Sequence, residues 1–180
     1  MKLNANRMEA LADGIFAIVM TVMVVSLSEL LNFPNLTRNA DFYKLFLTLG
    51  DDFLVYAVSF LILGVLWFEH HWQFHFIKHI DPVLVFINIV CFIFLCLVPF
   101  STMLLGNNLK FLPPALLFEF NVLIVFLILY IHWAYAIHKG RLIEALDKKT
   151  LPKYRKVCLF SIIIILMAVV LTFLYHYLNR

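Results

Sequence analysis

Fifteen consecutive residues, Gly14 to Ser28, carry no charge, with Asp13 before them and Glu29 after. As a helix they rise about 22 Å, and their flanks bring that close to the thickness of a bilayer's hydrocarbon core. Further apolar runs of this kind follow along the chain. In hydrocarbon every backbone N–H and C=O must be satisfied within its own segment, so such runs become helices. No soluble domain of 180 residues has the interior to hide a chain that is 64% hydrophobic, with 19 Phe and 14% charged residues. The reading is an all-α, polytopic transmembrane helix bundle forming one domain over residues 1–180. Its five expected spans are about 11–31, 53–72, 83–105, 114–137 and 157–177. The first run has no clear small-residue cleavage site and other long runs follow it, so it reads as a membrane helix rather than a signal peptide.

The interruptions are as informative as the runs. Residues 32–50 form a connection broken by Pro34, and its second half, 41–49, mixes aromatics with Lys44 in the manner of a short interfacial helix. Asn35-Leu36-Thr37 matches a glycosylation sequon, which is only a three-residue coincidence without a secretory host. Asp81-Pro82 is a good helix start, because proline is tolerated in the first turn. Pro99 removes a backbone donor near the far end of the third span and is expected to kink or end the helix there. Residues 138–156 are the hydrophilic stretch of the chain.

Five spans place the two termini on opposite sides. With the N-terminus cytoplasmic, the inner segments hold ten Lys and Arg residues and the outer segments four, which favours that orientation. The basic run from Lys139 to Lys156 then becomes a cytoplasmic surface, suited to lipid headgroups. Nucleic-acid binding has no support, since these charges flank membrane spans and no reader fold accompanies them. Cys91, Cys96 and Cys158 lie in or beside apolar runs and have neither metal spacing nor a disulfide framework.

Charges near or within a membrane are expensive, and they usually pair or line an aqueous path. Arg7 and Asp13 sit six residues apart, about 240° around an ideal helix, so each is expected to seek a partner on another helix. The deduced topology puts His70 and His71 at the same membrane face. A network of Arg7, Asp13 and one of these histidines follows, either as a packing lock or as part of an ion entrance. Ile18, Thr21, Val22 and Val25 fall at i, i+3, i+4 and i+7 on one helix face. That face could meet lipid, neighbouring helices or a pore, and a threonine hydroxyl can satisfy itself on the preceding turn. Metal or haem ligation is disfavoured. Adjacent His70 and His71 point about 100° apart, and the local order EHHWQFH contains no HExxH. No GxSxG, Walker loop or CxxC gives enzyme chemistry a foothold.

The stretch from Arg7 to Gly14, continuing to Ile18, resembles the signature of the endosomal/lysosomal potassium channel family in its short prokaryotic branch. That signature is Arg, three variable residues, then Phe-Ser-Asp. Arg7 and Asp13 match it, while Leu11 and Ala12 stand in place of the Phe-Ser pair. Trp67 to Phe74, WFEHHWQF, resembles the family's Trp-x-x-His-His element, and Asn88, Leu95 and Pro99 to Thr102 resemble its third span. The resemblance covers about residues 7–137. It implies a passive potassium-permeable cation channel, not an enzyme, in which four copies surround a pore lined by the first helix. On this chain the hydrophobic constriction would be Ile18, with Val22 and Val25 one and two turns further out and Thr21 as the neighbouring hydroxyl. Arg7, Asp13, His70 or His71, and Trp67 would hold the pore helix. It implies no cofactor or metal, K+ as the permeating ion, self-association as a homotetramer in lipid, and a bacterial inner-membrane location. The family usually has six spans, against the five read here. The alternative from the residues alone is a proton-coupled transporter or small membrane scaffold using His70, His71, Glu119 and His132.

Overall fold

The structure is a computed structural model that describes residues 4–25, 38–138, 140 and 150–178. The sequon and Pro34 lie outside the described residues. The helices are α1 (Ala5–Val22), α2 (Asn39–Phe76), α3 (Pro82–Cys96), α4 (Val98–Gly106), α5 (Leu112–His138) and α6 (Thr150–Leu178). Helix α5 is the hub of the bundle and packs against α6, α3 and α4. On the other flank, α1 lies against α2 and α3, and α2 also meets α4 and α5.

The expectation of five membrane spans is corrected to four. Among the described residues, Asp52–Phe76, Pro82–Gly106, Leu112–His138 and Tyr154–Leu178 are long and apolar enough to cross a membrane. The run expected at 11–31 is not among them. Its described part is α1, an 18-residue helix that carries Arg7, Glu9 and Asp13 within its length. That many charges in so short a helix removes the uniformly apolar character a lipid-crossing segment requires. Residues 41–49 differ from expectation too. They do not form a separate interfacial helix but continue into the following span, giving a 38-residue α2 about 57 Å long. No proline stands between Asn39 and Phe76, and Gly50 costs a helix interior only about 1 kcal/mol.

The helix boundaries follow local chemistry. Asp81 caps α3, its carboxylate accepting from the Leu84 N–H at 2.9 Å, and Pro82 occupies the first turn. The second carboxylate oxygen of Asp81 accepts from the Tyr135 hydroxyl at 2.7 Å, which ties the start of α3 to α5. Pro99 acts as expected. The backbone departs from the helix at Leu97, whose N–H donates to the Phe94 carbonyl, and α4 resumes beyond it. The inward stripe of α1 is Ala5, Met8, Ala12, Phe16, Val19 and Met23, all buried. Their spacing of three and four residues is the helical repeat, so this helix commits one whole face to its own subunit.

Candidate functional site

The opposite face of α1 is largely exposed among the described residues. Ile18 is 63% exposed, Val25 53% and Val22 45%, with Leu11 and Arg7 further down the same side. The Thr21 hydroxyl donates to the backbone carbonyls of Ala17 and Ile18, at 2.9 and 2.8 Å. Its proton is therefore spent inside its own helix, while the oxygen keeps accepting capacity on the exposed face. The four residues singled out from the sequence thus share one surface, and that surface is a row of branched side chains.

The groups expected to brace this helix separate into two layers. In the outer layer, the Trp67 indole N–H donates to Asp13 Oδ1 at 2.9 Å. His71 Nδ1 lies 3.2 Å from Glu9 Oε1, and its ring stacks on Trp67 at 5.4 Å between centroids. Two residues one helical turn apart on α2 thereby grip two carboxylates one turn apart on α1. Arg7 is exposed, and the structure does not bring it to Asp13, His70 or His71. Glu9, absent from the sequence reading of the site, takes the place at His71. The i, i+4 spacing of Glu9 and Asp13 against that of Trp67 and His71 was the available signal.

His70 belongs to the inner layer. It is buried behind α1, stacked on Phe74 and tilted against Phe16 and Phe92. Its Nε2 meets Asn88 Oδ1 at 2.9 Å, and the Asn88 amide donates in turn to the Leu84 carbonyl at 2.8 Å. His132 of α5 stacks against His70 at 5.9 Å, and its Nδ1 is 2.6 Å from Gln73 Oε1. The Gln73 amide donates to the Leu129 carbonyl at 3.1 Å. Four buried polar side chains from α2, α3 and α5 thus form a laddered core. Among the described residues no group of three or more His, Cys, Asp or Glu could hold a metal.

This core fixes the wall against which α1 rests, and its worth is measurable. Gln73→Leu leaves His132 Nδ1 without its partner, at an expected cost of about 2 kcal/mol. Combining it with His132→Phe removes both ends of the bond, and the double variant is expected to recover about half of that loss. The check is a double-mutant cycle of unfolding in mixed micelles. Additive losses would show that the two side chains do not act as a pair.

On the far side of α2, the Ser161 hydroxyl of α6 donates to Glu69 Oε1 at 2.7 Å, and the Tyr154 hydroxyl donates to the Glu69 carbonyl at 3.0 Å. Glu119 of α5 accepts from Thr172 of α6 at 2.6 Å. These contacts fasten α6 to the bundle. They leave Glu119 about as distant in role from α1 as its place in the chain suggests, and they do not join it to His70, His71 or His132.

Four apolar spans, with a braced, charged helix on one flank that exposes an apolar face, define the class: a polytopic membrane protein with a channel-type bundle. Residues 7–99 match the family described as endosomal/lysosomal potassium channel TMEM175, and the chain belongs to that family. The family is one of ion channels, not enzymes. A Streptomyces collinus protein named as a potassium channel is 27% identical over 107 residues, covering 59% of this chain and 50% of its own length. A Chryseobacterium protein, also named a potassium channel, is 28% identical over 106 residues, covering 59% of this chain and 51% of its own. The chain thus spans about half the length of these bacterial relatives. The chicken endosomal/lysosomal proton channel TMEM175 is 28% identical over 104 residues, 58% of this chain and 20% of that protein. The fold is shared with the crystal structure of a lysosomal potassium-selective channel TMEM175 homolog from Chamaesiphon minutus. The TM-score is 0.79 at 23% identity, over 97% of this chain and 89% of that one.

Proposed function

We propose that this protein is a passive, potassium-permeable cation channel in a bacterial inner membrane, assembled as a homotetramer with the exposed stripe of α1 turned to a shared axis. The observation that carries the reading is the division of α1 into two faces. One face is packed into its own subunit, and the other leaves Ile18, Val22 and Val25 largely exposed among the described residues. A lone apolar stripe on a helix otherwise marked by charge is explained by copies of itself. Four such stripes form a narrow hydrophobic throat, with Ile18 as its tightest ring. The throat gates by size and dewetting, as hydrophobic constrictions do. Isoleucine offers no oxygen to replace an ion's hydration shell, so selectivity among monovalent cations is modest. Asp13 with Trp67, and Glu9 with His71, hold the stripe in place, and Arg7 adds an exposed charge at the same end. The bacterial relatives named as potassium channels support K+ as the cargo.

A second permeant, H+, is favoured by the vertebrate relatives named as proton channels. The two readings part in liposomes. With K+ inside and a potential imposed by a gradient of a membrane-permeant lipophilic anion, a potassium channel passes K+ that tracks the potential while an entrapped pH dye stays flat. A dye response without K+ movement assigns the flux to protons. Flux that demands an opposing proton gradient makes the protein a coupled transporter and ends the channel reading.

A further inference from the structure

The ends of α5 and α6 on the Lys139–Lys156 side enclose a cavity of about 320 Å³, lined by Tyr130, Trp133, Ala134, Ile137, His138 and Arg155. That is the small end of the range for ligand sites, roughly 300–1,000 Å³. Its polar side chains include the donors of Arg155, His138 and Trp133. Arg155 and His138 are exposed, and neither has an ion pair with a described residue. Trp133 is 1% exposed, yet its indole N–H is buried without a hydrogen-bond partner. A buried donor left unmade costs about 1–3 kcal/mol, and no described residue supplies the acceptor.

The charge placement points the same way. Arg155 and Lys156 stand near the described start of α6, beside the end of α5. Tyr130 and Trp133 are amphipathic rings of the kind that sit at headgroup level. The basic residues between Lys139 and Lys156 suit a membrane surface whose anionic lipids attract basic segments.

We propose that this cavity binds the phosphate of an anionic phospholipid headgroup, held by the Arg155 guanidinium, a ring N–H of His138 and the Trp133 indole N–H. The site has a mechanical link to α2. Trp133 meets Tyr154 edge-on at 4.9 Å, and Tyr154 stacks on Trp72 at 4.0 Å. Through these rings the site reaches the end of α2.

The test is lipid retention, read independently of ion flux. Full-length protein is extracted from vesicles of phosphatidylcholine with phosphatidylglycerol, and the lipids that remain bound are counted by native mass spectrometry. The wild type is expected to retain phosphatidylglycerol in preference. Arg155→Ala with His138→Ala, and separately Trp133→Phe, are expected to lower that preference about tenfold. Trp133→Phe keeps the ring packing and removes the donor, which covers the case in which the double variant fails to fold. Lys156→Ala, one position along and outside the cavity lining, is expected to leave the preference unchanged. Equal losses from Lys156→Ala and the cavity variants mean diffuse surface charge and overturn the site, as does no loss from Trp133→Phe. Inorganic phosphate that displaces the retained lipid at millimolar concentration assigns the cavity to a soluble anion and overturns the headgroup.

Discussion

Exchanging Ile18 for asparagine is expected to raise cation flux through reconstituted protein about tenfold, which is about 1.4 kcal/mol off the permeation barrier. It is also expected to flatten the preference among monovalent cations. Ile18 is 63% exposed in the subunit, so its replacement disturbs no packed neighbour and the fold tolerates it. In the proposed assembly the same side chain would form a dewetted ring. An amide offers both donor and acceptor there, water stays in the throat, and an ion loses less of its shell on passing. Flux and ion ratios from potassium- and sodium-loaded liposomes check this. Unchanged ratios together with unchanged flux would remove Ile18 from the pathway.

Phe16, two residues earlier, is expected to behave in the opposite way. It is 1% exposed and meets His70 at 5.8 Å between ring centroids. Phe16→Ala opens a cavity against the buried histidine and is expected to cost about 3–5 kcal/mol, the range for deleting a core aromatic. In lipid the loss is one of packing contacts rather than of hydrophobic transfer, because the acyl chains are as apolar as the core. Thermal unfolding in detergent should show the loss for Phe16→Ala and almost none for Ile18→Asn. The reverse pattern would mean that the faces of α1 have been assigned the wrong way round.

Much of this was legible in the chain. The spans read at 53–72, 83–105, 114–137 and 157–177 fall within helices long and apolar enough to cross a membrane. They were readable because uninterrupted apolar runs leave the backbone no alternative to a helix. The break near Pro99 and the start at Asp81-Pro82 were readable because a missing N–H and a capping carboxylate act locally. The first helix was misjudged as a span. Counting the apolar run alone ignored Arg7, Glu9 and Asp13, which share one short helix with Ile18. The length of α2 was hidden because Gly50-Asp51-Asp52 looks like a connection yet contains nothing that forbids a helix.

The brace was legible in kind but not in its partners. Adjacent His70 and His71 point in different directions, and which of them faces inward depends on where α3 and α5 pass. His70 therefore meets Asn88 and His71 meets Glu9, pairings that rest on residues 18 and 62 positions away. Gln73 and His132 sit in long apolar windows, and only their buried contact explains their presence there.

The central claim is that the stripe of α1 from one subunit faces the stripe of another. Cysteine cross-linking measures this directly. In a background with Cys91, Cys96 and Cys158 replaced by alanine or serine, Ile18→Cys and Phe16→Cys are each oxidised in native membranes. Disulfide-linked dimers are expected for Ile18→Cys, with flux blocked by a thiol-reactive metal ion, and monomers for Phe16→Cys. Monomers from both variants, or dimers from Phe16→Cys alone, would contradict that claim.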